Sequence, residues 1–303
     1  MSKARKPPGR SVSLVNGYAR RAAIDRNTRF LMTGGRAPHL WELPSGRLRF
    51  ALPMTGMPDY YADWDIALTP DGKHAVASYS DSNLRVWDTA SGEEVLRWNT
   101  GSLTSATGMD VTCDRVLIGC RWQKELSCYQ LRTGQQLLRV KARTSATETV
   151  ALSEDGRFAL SGGGDKRVHL WDLGAGQRLA ELPGHTGRVM AVRFGSGGET
   201  AVSASADRTV GVWDLKKGTR MMTLTGPSRI INCVAISADG RRVAAGDRDL
   251  KVHVWTLADG HHRVFDGHSD SVIAVAFTTS GKAVVSVDQR GQVWTWDLTA
   301  VEG

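Results

Sequence analysis

Residues 184–215 read "GHTGRVMAVRFGSGGETAVSASADRTVGVWDL". The stretch holds His185, Ser203 and Asp207, the residue types of a hydrolase triad, and it ends in "VGVWDL". That ending is not unique. "LRVWDT" (84–89), "VHLWDL" (168–173), "VHVWTL" (252–257) and "VWTWDL" (293–298) repeat it, with weaker copies "PHLWEL" (38–43) and "LSCYQL" (126–131). The aromatic anchors Trp41, Trp87, Tyr129, Trp171, Trp213, Trp255 and Trp296 are spaced 46, 42, 42, 42, 42 and 41 residues apart, so the repeat covers nearly the whole chain. A period of this length marks a repeat architecture.

Each unit has the same grammar. An alternating apolar run such as "VMAVRF" or "VIAVAF" reads as a half-buried strand. A glycine turn such as "SEDGR" or "SADGR" follows, then a second apolar run, a short polar turn, and the strand that carries the aromatic. Another glycine turn ("GAGQR", "KKGTR") opens a fourth strand. No window has the apolar spacing of an amphipathic helix. A unit of four antiparallel strands cannot bury both its faces alone; stacked units cover them, and closing the stack into a ring removes the exposed ends.

The G-H and W-D marks at Gly184, His185, Trp213 and Asp214, and at Gly267, His268, Trp296 and Asp297, resemble those of the tryptophan–aspartate (WD) repeat family over about residues 10 to 299. The resemblance implies an all-β, seven-bladed β-propeller of four-stranded antiparallel blades. The chain ends just after a third strand, so Ser11 to Val15 is expected to supply the missing fourth strand of the last blade. Residues 10–303 are expected to form one propeller domain, and the basic segment 1–9 a disordered tail.

In that family a His before the first strand, a Ser or Thr on the second, an Asp in the next turn and the Trp form a hydrogen-bonded set. Counting back 28, 10 and 6 residues from Trp213 gives His185, Ser203 and Asp207. The last unit gives His268 and Ser286 with Trp296, but Arg290 stands at the Asp position. The fourth gives Ser161 and Asp165 with Trp171, and Arg143 at the His position. Units two and six keep Asp81 and Asp249, with Ala77 and Ala245 for Ser; units one and three keep only the aromatic. Buried polar groups need partners, and fragments of the set recur across units, so the reading is structural. A nucleophilic Ser needs exposure and an oxyanion hole, and no G-x-S-x-G elbow is present.

The remaining chemistry is sparse. The chain has 303 residues, 41% hydrophobic and 23% charged, with no apolar run long enough to span a membrane. The basic N-terminus lacks a following apolar stretch, so no secretory signal is read. A cytoplasmic location and reduced cysteines are expected; Cys113, Cys120 and Cys128 form no C-x-x-C pair, and no metal site is expected. "GSGG" (195–198) lacks the Lys-Ser/Thr and helix of a phosphate loop, and no cofactor motif appears. His169 and His253 read as ordinary polar strand positions, and the adjacent His261 and His262 should face opposite sides of a strand. Trp294 holds the equivalent position in the last unit.

The net charge is +8, half of it from Lys3, Arg5, Lys6 and Arg10. Function on such a scaffold lies in its loops. The resemblance implies docking on the face bearing the loop before each first strand and the turn before each third. Mapping the units places Tyr18, Arg20, Tyr60, Tyr61, Trp64, Arg121, Trp122, Glu148, Arg188, Met190 and Arg248 there. Aromatics and Arg are the composition of an interface core, although Tyr60, Tyr61 and Trp64 could also pack under their own loop. The expectation is a non-catalytic scaffold for a protein or peptide, as a monomeric propeller or part of a larger complex, without a membrane role. The alternatives are a basic nucleic-acid-associated propeller, a regulatory or sensor domain of a larger assembly, and an enzyme or sugar binder using the central channel; no converging carboxylate or His set marks the last.

Overall fold

The computed structural model describes residues 9–14, 19–35, 37–52, 63–79, 81–101, 106–112, 114–120, 124–141 and 146–299, with the backbone alone at 63–64 and 106–107. Their strands form seven separate four-stranded antiparallel sheets. Six sheets take their strands in chain order. The seventh joins Val272–Phe277, Ala283–Asp288 and Gln292–Asp297 to the N-terminal strand Gly9–Ser13.

The closing strand sits two residues earlier than the sequence suggested. Gly9 lies opposite Trp296 and Ser13 opposite Gln292, while Val15 falls outside the described residues. Two contacts set this register. Leu14 is buried against Leu31, Trp41 and Val293, which ends the strand at the core of blade one. Gly9 passes so close to blade seven that a Cβ there would meet Thr295 O at 2.9 Å, so the lack of a side chain permits the approach.

The core is divided among the gaps between blades. Seven apolar clusters are present, one for each pair of neighbouring blades. One unites Leu160 and Val168 of blade four with Val192 and Trp213 of blade five. Another unites Leu31 and Trp41 of blade one with Val285, Val287 and Val293 of blade seven, and so closes the ring. Alternate residues of a strand face opposite sides, so each sheet feeds two clusters.

The inner strands are sheet edges, and an edge leaves backbone groups unpaired. Side chains of neighbouring blades satisfy several. Asp110 accepts the Leu152 N–H at 2.8 Å, Thr149 Oγ1 accepts the Val192 N–H at 3.3 Å, and Asn232 donates to Val272 O at 3.1 Å. Arg26 of blade one also pairs with Glu154 of blade four.

Candidate functional site

In blade five the loop before the first strand (Val189–Phe194) brings His185 down onto the second strand (Thr200–Ser205). His185 Nε2 lies 2.8 Å from Ser203 Oγ, and Nδ1 lies 2.8 Å from Asp207 Oδ2. The Trp213 indole donates to the same Ser203 oxygen at 2.8 Å. The ionised Asp207 carboxylate can only accept, so Nδ1 carries the hydrogen given to it; in the neutral imidazole Nε2 then accepts the Ser203 hydroxyl, whose oxygen accepts from the indole. Asp207 also accepts the N–H groups of Thr186 and Thr209 and the Thr209 hydroxyl. Burial works to raise the Asp207 carboxyl, but the hydrogen bonds from Thr209, Thr186 and His185 outweigh it and hold it at about 2. Burial pushes His185 below the usual imidazole range, Asp207 opposes this, and the nearby Arg220 charge reinforces it. Arg220 lies over the Trp213 ring at 4.8 Å and donates to Gly184 O. Ser203 has no exposed surface. Its hydroxyl is sealed between an indole and an imidazole, where no substrate carbonyl can reach it.

Blade seven repeats this network with one change. His268 contacts Ser286 at 2.6 Å, and the Trp296 indole donates to Ser286 at 2.7 Å. The carboxylate is Asp288, 3.3 Å from His268 and fully buried. The turn position six residues before the indole holds Arg290, which is exposed and bonds Asp270 at 3.3 Å. Blade six shows the same shift. Its buried carboxylate is Asp247, bonded to His253 at 3.1 Å, whereas Asp249 bonds the Ser228 hydroxyl on the surface. In blade four the Trp171 indole donates to Ser161 at 2.9 Å, and Asp165 meets His169 at 2.7 Å; Arg143 lies outside the described residues.

Two expectations are corrected by these contacts. Unit one keeps more than its aromatic: the Trp41 indole donates to Thr33 Oγ1 at 2.9 Å. The hairpin between its second and third strands is two residues shorter. Leu31 therefore pairs with Trp41 and Thr33 with His39, where blade five pairs Ala201 with Trp213 and Ser203 with Gly211. His169 and His253 are likewise not ordinary polar strand positions. Both are 2% exposed and both bond a carboxylate. Arg85 holds the same place in blade two, 1% exposed, with Asp81 at 2.8 Å. The position two residues before the aromatic therefore supplies the carboxylate's partner in blades two, four and six. Where His185 or His268 descends from the leading loop, that position is Gly211 or Trp294.

Five of the candidate docking residues lie among the described residues with their side chains. Arg20, Arg188 and Arg248 are exposed, Met190 is half-buried, and Glu148 is largely covered. The structure brings Arg188 of blade five to 3.6 Å from Glu148 of blade four. Arg248 instead turns to Asn232 of its own blade at 3.1 Å. Tyr18, Tyr60, Tyr61, Arg121 and Trp122 lie outside the described residues, as does the side chain of Trp64. Sequence reasoning passed over Arg208 and Arg229, both exposed. Arg208 occupies the tip of the turn before the third strand with φ 71°, and Lys166 holds the matching place in blade four with φ 68°. That repetition was the available signal.

Two inner-strand carboxylates were also missed. Burial pushes Asp65 and Asp110 upward, opposed by Arg21 and Arg193 in the first case and by Arg193 in the second. Each accepts backbone N–H groups, Asp65 from Ile66 and Asp110 from Val111 and Leu152. Cys120, Cys128 and Cys233 are buried thiols, and burial pushes them up to about 12, 11 and 12; Cys113 lies outside the described residues. Among the described residues, no group of three or more His, Cys, Asp or Glu could hold a metal, and no helix is long and apolar enough to cross a membrane.

The pattern of the WD domain, G-beta repeat family matches residues 64–88, 134–172, 176–214, 218–256 and 260–297. Most matches begin at the fourth strand of one blade and end at the third of the next, so the sequence repeat is staggered against the structural one. Autophagy-related protein 16 of Arabidopsis thaliana is 30% identical over 147 residues, which cover 46% of this chain and 27% of that protein. The chain thus matches only about a quarter of that relative's length. With repeat matches over more than half of its length and seven blades closed in a ring, the protein belongs to the WD domain, G-beta repeat family.

Proposed function

We propose that this chain is a non-catalytic scaffold that holds a protein or peptide against the end of the propeller formed by the leading loops and the turns before the third strands. The reading takes residues 10–303 as one domain working in the cytoplasm. The observation that carries it is the exposure of Arg20, Arg188, Arg208 and Arg248 at that one end. In blades two, four, five and six a carboxylate near this end is held by His or Arg. Loops on a braced frame present side chains with little loss of freedom on binding, and Arg is enriched at the residues that dominate interface energy. The sealed Ser203 supports binding over acyl chemistry.

The test is affinity capture from the native source with three proteins. One is wild type, one combines Tyr60→Ala, Trp64→Ala and Arg188→Glu, and one carries Leu137→Asp on the outer circumference. Bound proteins kept by wild type and Leu137→Asp but lost by the triple variant support the reading. Equal capture by all three overturns it. Bound material that is nuclease-sensitive and released steeply by salt moves the function to nucleic acid.

A further inference from the structure

The outer strand of each blade is a free sheet edge, and proteins blunt such edges with bulges. Blades one to five do so at the same place. The ladder between third and outer strand slips at Leu40/Trp41, Val86/Trp87, Cys128/Tyr129, Leu170/Trp171 and Val212/Trp213. The outer strand of blade six, His262–Asp266, has no bulge: it pairs in unbroken register from Trp255↔His262 to Lys251↔Asp266. The N-terminal strand on blade seven is also regular. Self-pairing of that strand about Ser11 would set Ser11 against Ser11 and Arg10 against Val12, with no apolar pair at the axis.

The direction of the backbone groups follows from the ladder. Thr256 N–H donates to His261 O, and hydrogen-bonded pairs alternate along an antiparallel ladder. Arg263 and Phe265 therefore bond inward, and the N–H and C=O of His262, Val264 and Asp266 point outward. Val264 is 48% exposed and Asp266 is exposed. We infer that this strand pairs antiparallel with the same strand of a second copy of the chain, about a two-fold axis at Val264. In that register Val264 faces Val264 of the other copy, while the His262 ring stays stacked on Trp255 and bonded to His253 of its own blade. The outward residues 262, 264 and 266 meet one another directly, which is the condition for hydrogen-bonded pairs. The arrangement is self-complementary, as a two-fold interface requires. It joins two four-stranded blades into an eight-stranded sheet, away from the loop-bearing end. Of the two expectations, a monomeric propeller or part of a larger complex, it departs from the first. The contact is smaller than a standard interface, so the association is weak and concentration-dependent.

Sedimentation velocity tests it. Wild type should show a dimer fraction that rises between about 10 µM and about 1 mM. Val264→Pro removes an outward N–H that no strand of its own blade uses. It should keep the circular dichroism and melting of wild type and sediment as a monomer. In a Cys113→Ser background with oxidised glutathione, Val264→Cys should form a disulfide-linked dimer, and Leu179→Cys, on the bulged outer strand of blade four, should not. A wild type that stays monomeric throughout, a dimer undiminished by Val264→Pro, or equal cross-linking of Leu179→Cys overturns the inference.

Discussion

Asp288 Oδ2 sits 3.3 Å from His268 Nδ1, two residues before the position where the repeat's spacing places an aspartate. The carboxylate needed by the descending imidazole thus comes from the end of the second strand rather than the turn. Both residues are buried, and Asp288 also accepts the N–H groups of Ser269, Arg290 and Gln292. Removing it leaves the buried His268 imidazole and three part-buried backbone N–H groups without an acceptor. Asp288→Ala should destabilise the fold by about 1–3 kcal/mol. Asp249→Ala, which sits at the spacing-derived position in blade six but bonds only surface groups, should change stability by less than about 0.5 kcal/mol. Urea unfolding of the two variants separates the strand-end carboxylate from the turn carboxylate, and equal losses would refute the assignment.

The blade-five network carries a pH signature. Asp207 is held at about 2 against an ordinary 3.8. Its folded value is depressed, so its contribution is complete above about 4 and is lost as pH falls through about 2. His185 is depressed from 6.5. The unfolded imidazole binds a proton first, so stability begins to fall as pH drops below about 6.5. His185→Asn should flatten the melting temperature between about pH 6.5 and pH 5 relative to wild type while leaving the decline below about pH 4. A wild-type melting temperature that rises on acidification from about pH 7 to pH 5 would contradict the buried neutral imidazole.

What could be read from the sequence divides along one physical line. The aromatic period was legible because an indole that must fill each inter-blade gap cannot drift. Ser161, Ser203 and Ser286 were legible because equal hairpins keep them ten residues before their indoles. Thr33 was not, because a hairpin two residues shorter moves the same spatial position to a different count. Arg85 was not, because an arginine in a strand reads as a surface residue until its partner Asp81 and the Tyr79 ring beneath it are seen. Asp247 and Asp288 were hidden because a carboxylate two residues upstream reaches the same cavity from the strand end. The docking residues were least legible, since loop sequences vary without a period to align them.

Thr33 permits a direct check of the shortened hairpin. Its hydroxyl is the acceptor for the buried Trp41 indole. Thr33→Val keeps the shape and removes the acceptor, leaving an indole N–H buried without a partner. The expected loss is about 1–3 kcal/mol, and Thr33→Ser should recover most of it. Chemical denaturation of the three proteins measures this. Equal stability of Thr33→Val and wild type would mean that the indole finds another acceptor, as the Trp255 indole does with Thr225 O.

The closing strand Gly9–Ser13 joins the ends of the chain through its ladder with Gln292–Asp297. Deleting residues 2–13 removes those hydrogen bonds, each contributing about 0.5–1.5 kcal/mol. It also uncovers the third strand of blade seven, which carries the stacked Trp294 and Trp296. Leu14 would lose the strand that leads it into the cluster between blades seven and one. A loss of about 3 kcal/mol lowers the melting temperature by roughly 5 °C in a domain of this size. The truncated protein should also aggregate, because an unprotected apolar edge pairs with other chains. Gly9→Val should act in the same direction with a smaller effect, since its side chain would collide with Thr295 O and the Trp296 ring. Unchanged melting of the truncated protein would mean that blade packing alone closes the ring.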